Sequence, residues 1–264
     1  MSKNLICVDL GNTTIHCGSF TKNDIVLERS IAAAIAHREP RELTKLIEET
    51  TASEEGPWDA AYCSVTPEAN ALLENSLSGF VGEIFQLTAS TCPELKITHP
   101  NSEEVGADRL ANAIAVQTHH GAPAIVIDLG TATTFDVVGT ESGYEGGVIA
   151  PGLAMMTDYL AESTALLPKL DPILSVPKSL VGRSSKEAIQ LGCSLGFPAM
   201  IWGILEKVKG ELAEREGKEP VVILTGGTAK ELARSLDVNW PVDPCLTLRG
   251  LAEANTRNRE RHLP

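Results

Sequence analysis

Two stretches, LICVDLGNTT at residues 5–14 and AIVIDLGTATT at residues 124–134, decide how this chain is read. Each is an apolar, strand-like run that ends in Asp, Leu, Gly, a small polar residue and threonines. Asp9 and Asp128 lie 119 residues apart, a period far too long for a solenoid repeat. Self-similarity at that distance predicts two related domains in tandem. The simpler alternative is two unrelated buried strands that each end in an Asp-x-Gly turn.

The segments that follow each copy favour duplication. Residues 14–20 and 24–30 read as two further strands after the first copy, and residues 133–139 and 144–149 do so after the second. Helical patterns come next, over 40–50 with Leu43, Leu46 and Ile47 on one face, and over 152–162. A strand at 58–64 then precedes a helix at 67–77, and a strand at 221–225 precedes a helix at 229–236. Strands alternating with helices imply parallel pairs. The expected fold class is therefore α/β: two tandem domains, 1–115 and 116–264, each with a central mixed sheet flanked by helices. A helix over 107–119 would carry the chain across the boundary, and a long one would run from 184 to 215. Residues 166–181, with Pro168, Pro172 and Pro177, read as an ordered loop or lid, and the tail 257–264 as frayed.

The length of 264 residues suits one or two domains, and 43% apolar content predicts a sizeable core. A formal charge of −13 repels a nucleic-acid backbone and an anionic membrane. It does not exclude a nucleotide, because backbone N–H groups or a metal ion invert the potential locally. Six cysteines without a C-x-x-C pair read as reduced thiols, and no unbroken apolar run approaches the roughly 18 residues of a membrane span. These features predict a cytoplasmic protein.

A glycine after a strand lets the backbone turn sharply and approach a ligand, while the next Asn or Thr adds donors. Gly11, Asn12 and Thr13 in one copy, and Gly130, Thr131, Ala132 and Thr133 in the other, are expected to form two phosphate-wrapping hairpins across a cleft. Asp9 and Asp128 supply the hard oxygens that Mg²⁺ or an alkali cation takes beside a triphosphate. A third turn, Thr225-Gly226-Gly227, opens a helix and would hold the adenosine; an unliganded strand-to-helix turn is the plainer reading. Phosphoryl transfer also needs a carboxylate on the acceptor side. In VGADRL, Asp108 sits at a helix start beside Arg109, where it would either receive the acceptor proton or simply cap the helix.

The combination of DLGNTT, EVGADRLANAIA (104–115), IDLGTATTFDVV, GGVIAPG (146–152), STALLP (163–168) and LTGG (224–227) is similar to type III pantothenate kinase over nearly the whole length. SVTP (64–67) and LTLRGL (246–251) also resemble pieces of that family. The resemblance implies the actin-like ATPase fold and the reaction of ATP with pantothenate to give ADP and 4′-phosphopantothenate, the first step of coenzyme A synthesis. It implies that Gly106, Ala107, Asp108 and Arg109 bind pantothenate, with Asp108 as general base. It further implies that the first nucleotide element runs Asp9, Leu10, Gly11, Asn12, Thr13, Thr14, Ile15 and His16, that Thr131 contacts ATP, and that Asp128 ligates a monovalent cation, K⁺ or NH₄⁺. Asp9 is the choice for the Mg²⁺ side, and Gly226 and Gly227 for the adenosine. The family is homodimeric, with its pocket near the subunit interface.

Two positions depart from the family pattern. Where the family has Tyr-x-Asn-Pro, aligning Asn101 sets His99 at the Tyr and Ser102 at the Pro; His99 is either a substrate contact or a surface histidine. In GRSSKEAIQLG (182–192), Ser185 stands for the family's Thr and keeps a hydroxyl for the substrate. A regulator without catalysis and a kinase for another small alcohol are the competing functions. GGVIAPG reads as a tight strand-to-helix connection.

Overall fold

The computed structural model describes residues 4–21, 24–52, 54–92, 94–171, 173–174 and 179–261. The chain forms two compact units, one of Met1–His120, Ser142–Gly146 and Cys245–Pro264, the other of Gly121–Glu141 and Gly147–Pro244.

The first unit is built on strands β1 (Asn4–Leu10), β2 (Thr14–Thr21), β3 (Asp24–Ala32), β4 (Trp58–Ser64) and β5 (Val81–Gln86), in the order β3-β2-β1-β4-β5. β1 pairs antiparallel with β2 and parallel with β4. Successive side chains of a strand face opposite ways, so Ile6, Val8 and Leu10 share one face with Ile15, Cys17, Ala60 and Tyr62. Helix α1 (Ala33–Arg38), α2 (Pro40–Thr51) and α3 (Asn70–Leu77) cover that face, burying Leu43, Ile47, Leu73 and Leu77 against it. The α2 range matches the periodicity of its leucines, and Pro40 begins it where a missing N–H costs nothing. The other face carries Cys7, Asp9, His16, Gly18 and Cys63 in register. Helix α4 (Ala107–His119) packs on β4 there, with Leu110, Ala111, Asn112, Ala113, Ile114, Ala115 and Val116 all buried.

The second unit repeats the plan. Strands β6 (Ala124–Leu129), β7 (Ala132–Gly139), β8 (Gly143–Pro151, of which residues through Gly146 belong to the first unit) and β9 (Val221–Thr225) stand in the order β8-β7-β6-β9. β6 is antiparallel to β7 and parallel to β9, as β1 is to β2 and β4. The second hairpin is one residue tighter than the first, since Asp9 pairs with His16 and Leu10 with Ile15, whereas Asp128 pairs with Thr134 and Leu129 with Thr133. Helices α5 (Leu153–Glu162), α6 (Ser185–Glu216) and α7 (Ala229–Leu236) complete this unit. α6 starts at Ser184, whose Oγ accepts from the Glu187 N–H at 3.2 Å, and stops at Gly217 in the left-handed region, φ +70°. It buries Ile189, Cys193, Phe197, Ile201, Leu205 and Leu212 in the unit's core. One 18-residue window of α6 has a mean hydropathy of 1.5. It therefore meets a membrane-span criterion that unbroken apolar runs do not. Some of its apolar residues serve the core of this unit, while Leu195 and Trp202 face outward.

Helix α8 (Leu246–Arg261) changes two expectations. It belongs to the first unit rather than the second, so the second unit does not run from 116 to the end. The division falls at His120, and α4 lies wholly within the first unit instead of bridging. α8 packs along α4 because both present small residues there: a Cβ on Gly250 would lie 1.9 Å from the Ala111 carbonyl oxygen. Thr247 Oγ1 donates to Asn112 Oδ1 at 2.8 Å within this buried seam. The tail expected to fray is helical to Arg261, held in part by Arg259, which donates to the buried Asp59 carboxylate. Residues 262–264 lie outside the described residues. So do Pro172 and Pro177 of the proline-bearing loop.

Candidate active site

In the first unit, β1 delivers Asp9 to the end of the sheet and the chain reverses through Gly11, Asn12 and Thr13. The Gly11 N–H donates to the Thr14 carbonyl at 3.1 Å, and a Cβ on Gly11 would lie 2.8 Å from that same oxygen. Glycine is needed for a turn this tight. The hairpin is anchored on both sides, by Val65 N–H to the Leu10 carbonyl at 3.1 Å and Ala33 N–H to the Thr13 carbonyl at 2.8 Å. Asn12, Thr13 and Thr14 are exposed. Leu10 and Ile15 are core residues, 1% and 2% exposed, so they can offer a ligand only their backbone. The His16 imidazole faces Glu28 of β3 at 3.5 Å, and burial lowers its pKa despite that carboxylate.

Asp108 stands in the first turn of α4, after Gly106 as N-cap. Its Oδ1 accepts the Arg109 N–H at 2.9 Å, so the carboxylate folds back over the turn instead of projecting away. A Cβ on Gly106 would lie 2.5 Å from that Oδ1, so the glycine makes the position available. Burial raises the Asp108 pKa, and the Arg109 N–H and guanidinium oppose the rise without cancelling it. Between Asp9 and Asp108 lies Cys63, whose Sγ donates to Asp9 Oδ1 at 3.4 Å. Its thiol is pushed well up, by burial first and then by the charges of Asp9 and Asp108. The base candidate and the first phosphate turn thus share one end of one sheet.

Three chain segments meet beside Asp108. Residue Tyr144 forms a bridge with Ile97, donating its N–H to the Lys96 carbonyl at 2.8 Å and accepting from the Thr98 N–H at 2.9 Å. Its buried ring lies under the Arg109 guanidinium, 5.7 Å from carbon to centroid. Gly143, φ +70°, permits this approach, since a Cβ there would lie 2.1 Å from the Lys96 carbonyl. His99 packs its ring edge 3.2 Å from where a Gly146 Cβ would stand. Its Nδ1 lies 3.2 Å from the Asn101 N–H and 3.0 Å from the Asn101 carbonyl. His99 is thus fixed by its own loop, close to the segment that supports Arg109. Tyr144 was not among the sequence candidates; nothing local to it signals that it returns to this unit.

In the second unit, three glycine turns pack together. Gly226, φ +87°, follows β9, and a Cβ there would lie 2.6 Å from the Leu129 nitrogen and 2.7 Å from Asp128 Oδ1. Thr228 Oγ1 donates to the Leu129 carbonyl at 3.3 Å. Gly152 donates its N–H to the Thr131 carbonyl at 3.1 Å, where a Cβ would lie 2.1 Å from that oxygen. GGVIAPG is therefore the tight strand-to-helix connection expected of it, and it backs the hairpin at Gly130 and Thr131. Thr131, Gly130 and Gly227 are exposed, and nothing lies within 4 Å of a Cβ built on Gly227. Asp128 is half-buried beside these glycines, and its carboxylate is a hard oxygen donor.

Ser185 lies in the second unit, on the first turn of α6, and lines an apolar groove of about 810 Å³ with Met155, Tyr159, Leu160 and Ile189. Tyr159 is 70% exposed, and Leu166, Leu195 and Trp202 also face solvent. Among the described residues all six cysteines are free thiols.

Residues 5–207 match the family model described as type III pantothenate kinase. A protein of that name from Methylacidiphilum infernorum is 35% identical over 264 residues, 98% of this chain and 92% of the relative. Another of that name, from Akkermansia muciniphila, is 43% identical over 195 residues, covering 74% of this chain and 77% of the relative. Among solved structures, the activator of 2-hydroxyisocaproyl-CoA dehydratase from Clostridium difficile with bound ADPNP superimposes with a TM-score of 0.53 at 12% identity. That alignment covers 98% of this chain and 97% of that one, and shows a shared actin-like fold.

Proposed function

The chain belongs to the type III pantothenate kinase family and phosphorylates pantothenate with ATP at the first step of coenzyme A synthesis, and we propose that Asp108 is its general base. The observation that carries this is the position of Asp108: half-buried, with its pKa raised by burial, at the same sheet end as the Asp9 hairpin. A base works best when its pKa lies near the operating pH, and desolvation moves a carboxylate in that direction. Asp108 accepts the proton of the pantothenate hydroxyl as that oxygen attacks the terminal phosphorus and the ADP oxygen leaves. Arg109, held over the Tyr144 ring, pairs with the pantothenate carboxylate. Gly106 and Ala107 complete the acceptor side with backbone, and His99 takes the place of the family's tyrosine.

For the nucleotide we assign the hairpin from Asp9 to His16, with Gly11, Asn12, Thr13 and Thr14 wrapping phosphate oxygens through N–H and hydroxyl donors. Thr131 does the same from the second unit, and Gly226 and Gly227 receive the adenosine. The family uses ATP with a divalent metal, and Asp9 is the ligand on that side. Asp128 holds the monovalent cation, K⁺ or NH₄⁺, that neutralises phosphate charge when bound. The exposed apolar face of α5 and α6, with Tyr159, Leu195 and Trp202, supports a homodimer, and Ser185 on that face is a substrate contact. A reaction that consumes ATP supports a cytoplasmic location.

The test is ADP release by the purified protein with MgATP, with and without pantothenate, in K⁺ and in Na⁺ buffer. Pantothenate-dependent release that needs K⁺ is expected. Release independent of pantothenate would overturn the acceptor assignment, and equal rates in both buffers would overturn the cation assignment.

A further inference from the structure

We propose that His16, Glu28 and Cys245 form a binding site for a borderline-soft divalent cation of the Zn²⁺ type. The three donors come from β2, from β3 and from the residue just before α8, and Cys245 is 217 residues from Glu28. His16 Nε2 lies 3.5 Å from Glu28 Oε2, and the Cys245 thiol contacts that same oxygen. All three ligand atoms lie within 4.8 Å of one another.

The fold brings them together for a definite reason. Gly18 pairs with Glu28 across β2 and β3, two residues along from His16 and on the same face. A Cβ on Gly18 would lie 2.9 Å from Leu248 Cδ1, so its absence lets the start of α8 descend onto these strands. That descent sets Cys245 over the His16–Glu28 pair. One imidazole, one carboxylate and one thiolate form a donor set that suits Zn²⁺ and not Mg²⁺, which takes oxygen ligands. Bonds of about 2.0–2.3 Å in a tetrahedral site separate ligand atoms by roughly 3.3–3.8 Å; the His16–Glu28 distance falls in that interval, while the Cys245 thiol stands closer to Glu28 and has to part from it as an ion enters. The carboxylate and thiolate charges balance a divalent ion. Glu28 is 48% exposed at its side chain, which gives an ion an approach from solvent and leaves room for a water as fourth ligand. As the sulfur–metal bond forms, the thiol proton passes to solvent. The site does not depend on the assignment of Asp108 or on the acceptor.

The experiment uses full-length, tag-free, reduced protein titrated with Co²⁺, followed by displacement with Zn²⁺. One Co²⁺ per chain is expected, with a thiolate-to-cobalt charge-transfer band and the visible bands of a four-coordinate ion, all lost when Zn²⁺ is added. Cys245→Ser should lose the charge-transfer band while its circular dichroism stays that of the folded protein. Glu28→Ala, on a strand surface, should weaken Co²⁺ by at least the roughly tenfold that loss of a mere supporting partner costs. A folded wild-type protein without the band, or a band unchanged in Cys245→Ser, would overturn the proposal. If Cys245→Ser does not fold, unchanged affinity in Glu28→Ala overturns it by itself.

Discussion

Replacing Asp108 by Asn tests the chemistry most directly, because the structure separates its catalytic effect from any effect on folding. The amide keeps an oxygen where Oδ1 accepts the Arg109 N–H at 2.9 Å, so the first turn of α4 keeps its shape. What disappears is the ability to take a proton. General-base catalysis contributes about 10²- to 10⁴-fold, or roughly 2.7–5.5 kcal/mol of barrier at about 1.4 kcal/mol per tenfold. Turnover measured as pantothenate-dependent ADP release should fall by that factor, with ATP affinity near normal. The folded-state pKa of Asp108 is raised, so its charged form is disfavoured in the native protein. Its contribution to stability is therefore lost as pH rises from the unfolded value through the folded one, and at neutral pH the charge is a net cost. Asn removes that cost, and the variant should melt at the same temperature as the wild type or higher. The acid limb of kcat/KM in the wild type should stand above the ordinary aspartate range and be absent in the variant. A variant with turnover within about threefold of wild type would refute the assignment.

Three further outcomes follow from the same geometry. Asp128→Ala should abolish activation by K⁺ while leaving Na⁺-buffer turnover little changed, as read by ADP release; an unchanged K⁺ dependence would move the cation elsewhere. Gly226→Ala sets a Cβ 2.6 Å from the Leu129 nitrogen at φ +87°. At about 1–3 kcal/mol of backbone strain plus the clash, it should lower Tm by roughly 5 °C or more and weaken ATP. His99→Tyr should retain or improve pantothenate affinity, measured as KM, and a large rise in KM would contradict the assignment of that position to the pocket.

The fold was legible where local pattern and tertiary role coincide. Strand β4, α4, β9 and α7 span the residues that alternation and helical spacing predict, and each DLG turn joins the first strand of a sheet to an antiparallel neighbour. Strand β5 and helix α1 were missed. VGEIFQ has no fully buried residue and lacks the apolar alternation of a half-buried strand, and α1 is only six residues of alanine-rich chain. α8 had a readable signal that its charged end obscured: Leu248, Leu251, Ala252 and Asn255 stand at helical spacing and are all buried. The arginines that made the tail look frayed include Arg259, bound to buried Asp59, and Arg257, which donates to Glu253 at 2.8 Å.

The candidate site divides along the same line. Glycine turns such as Gly11, Gly106 and Gly226 were readable because a position that forbids a Cβ restricts sequence locally. Tyr144 was not, because its role depends on residues 142–146 returning to a unit that the chain left at His120. The same holds for Cys245, whose neighbours His16 and Glu28 come from the start of the chain. In each case the partner is supplied by topology, through a sheet edge or a helix seam, and no spacing within one segment encodes it. The two returning segments both land on the first unit, one beneath Arg109 and the other beside the strand that leaves the first phosphate turn. Substitutions in Ser142–Gly146 or at the start of α8 should therefore alter the acceptor and nucleotide sides separately, although both are far in sequence from the motifs that identify the family.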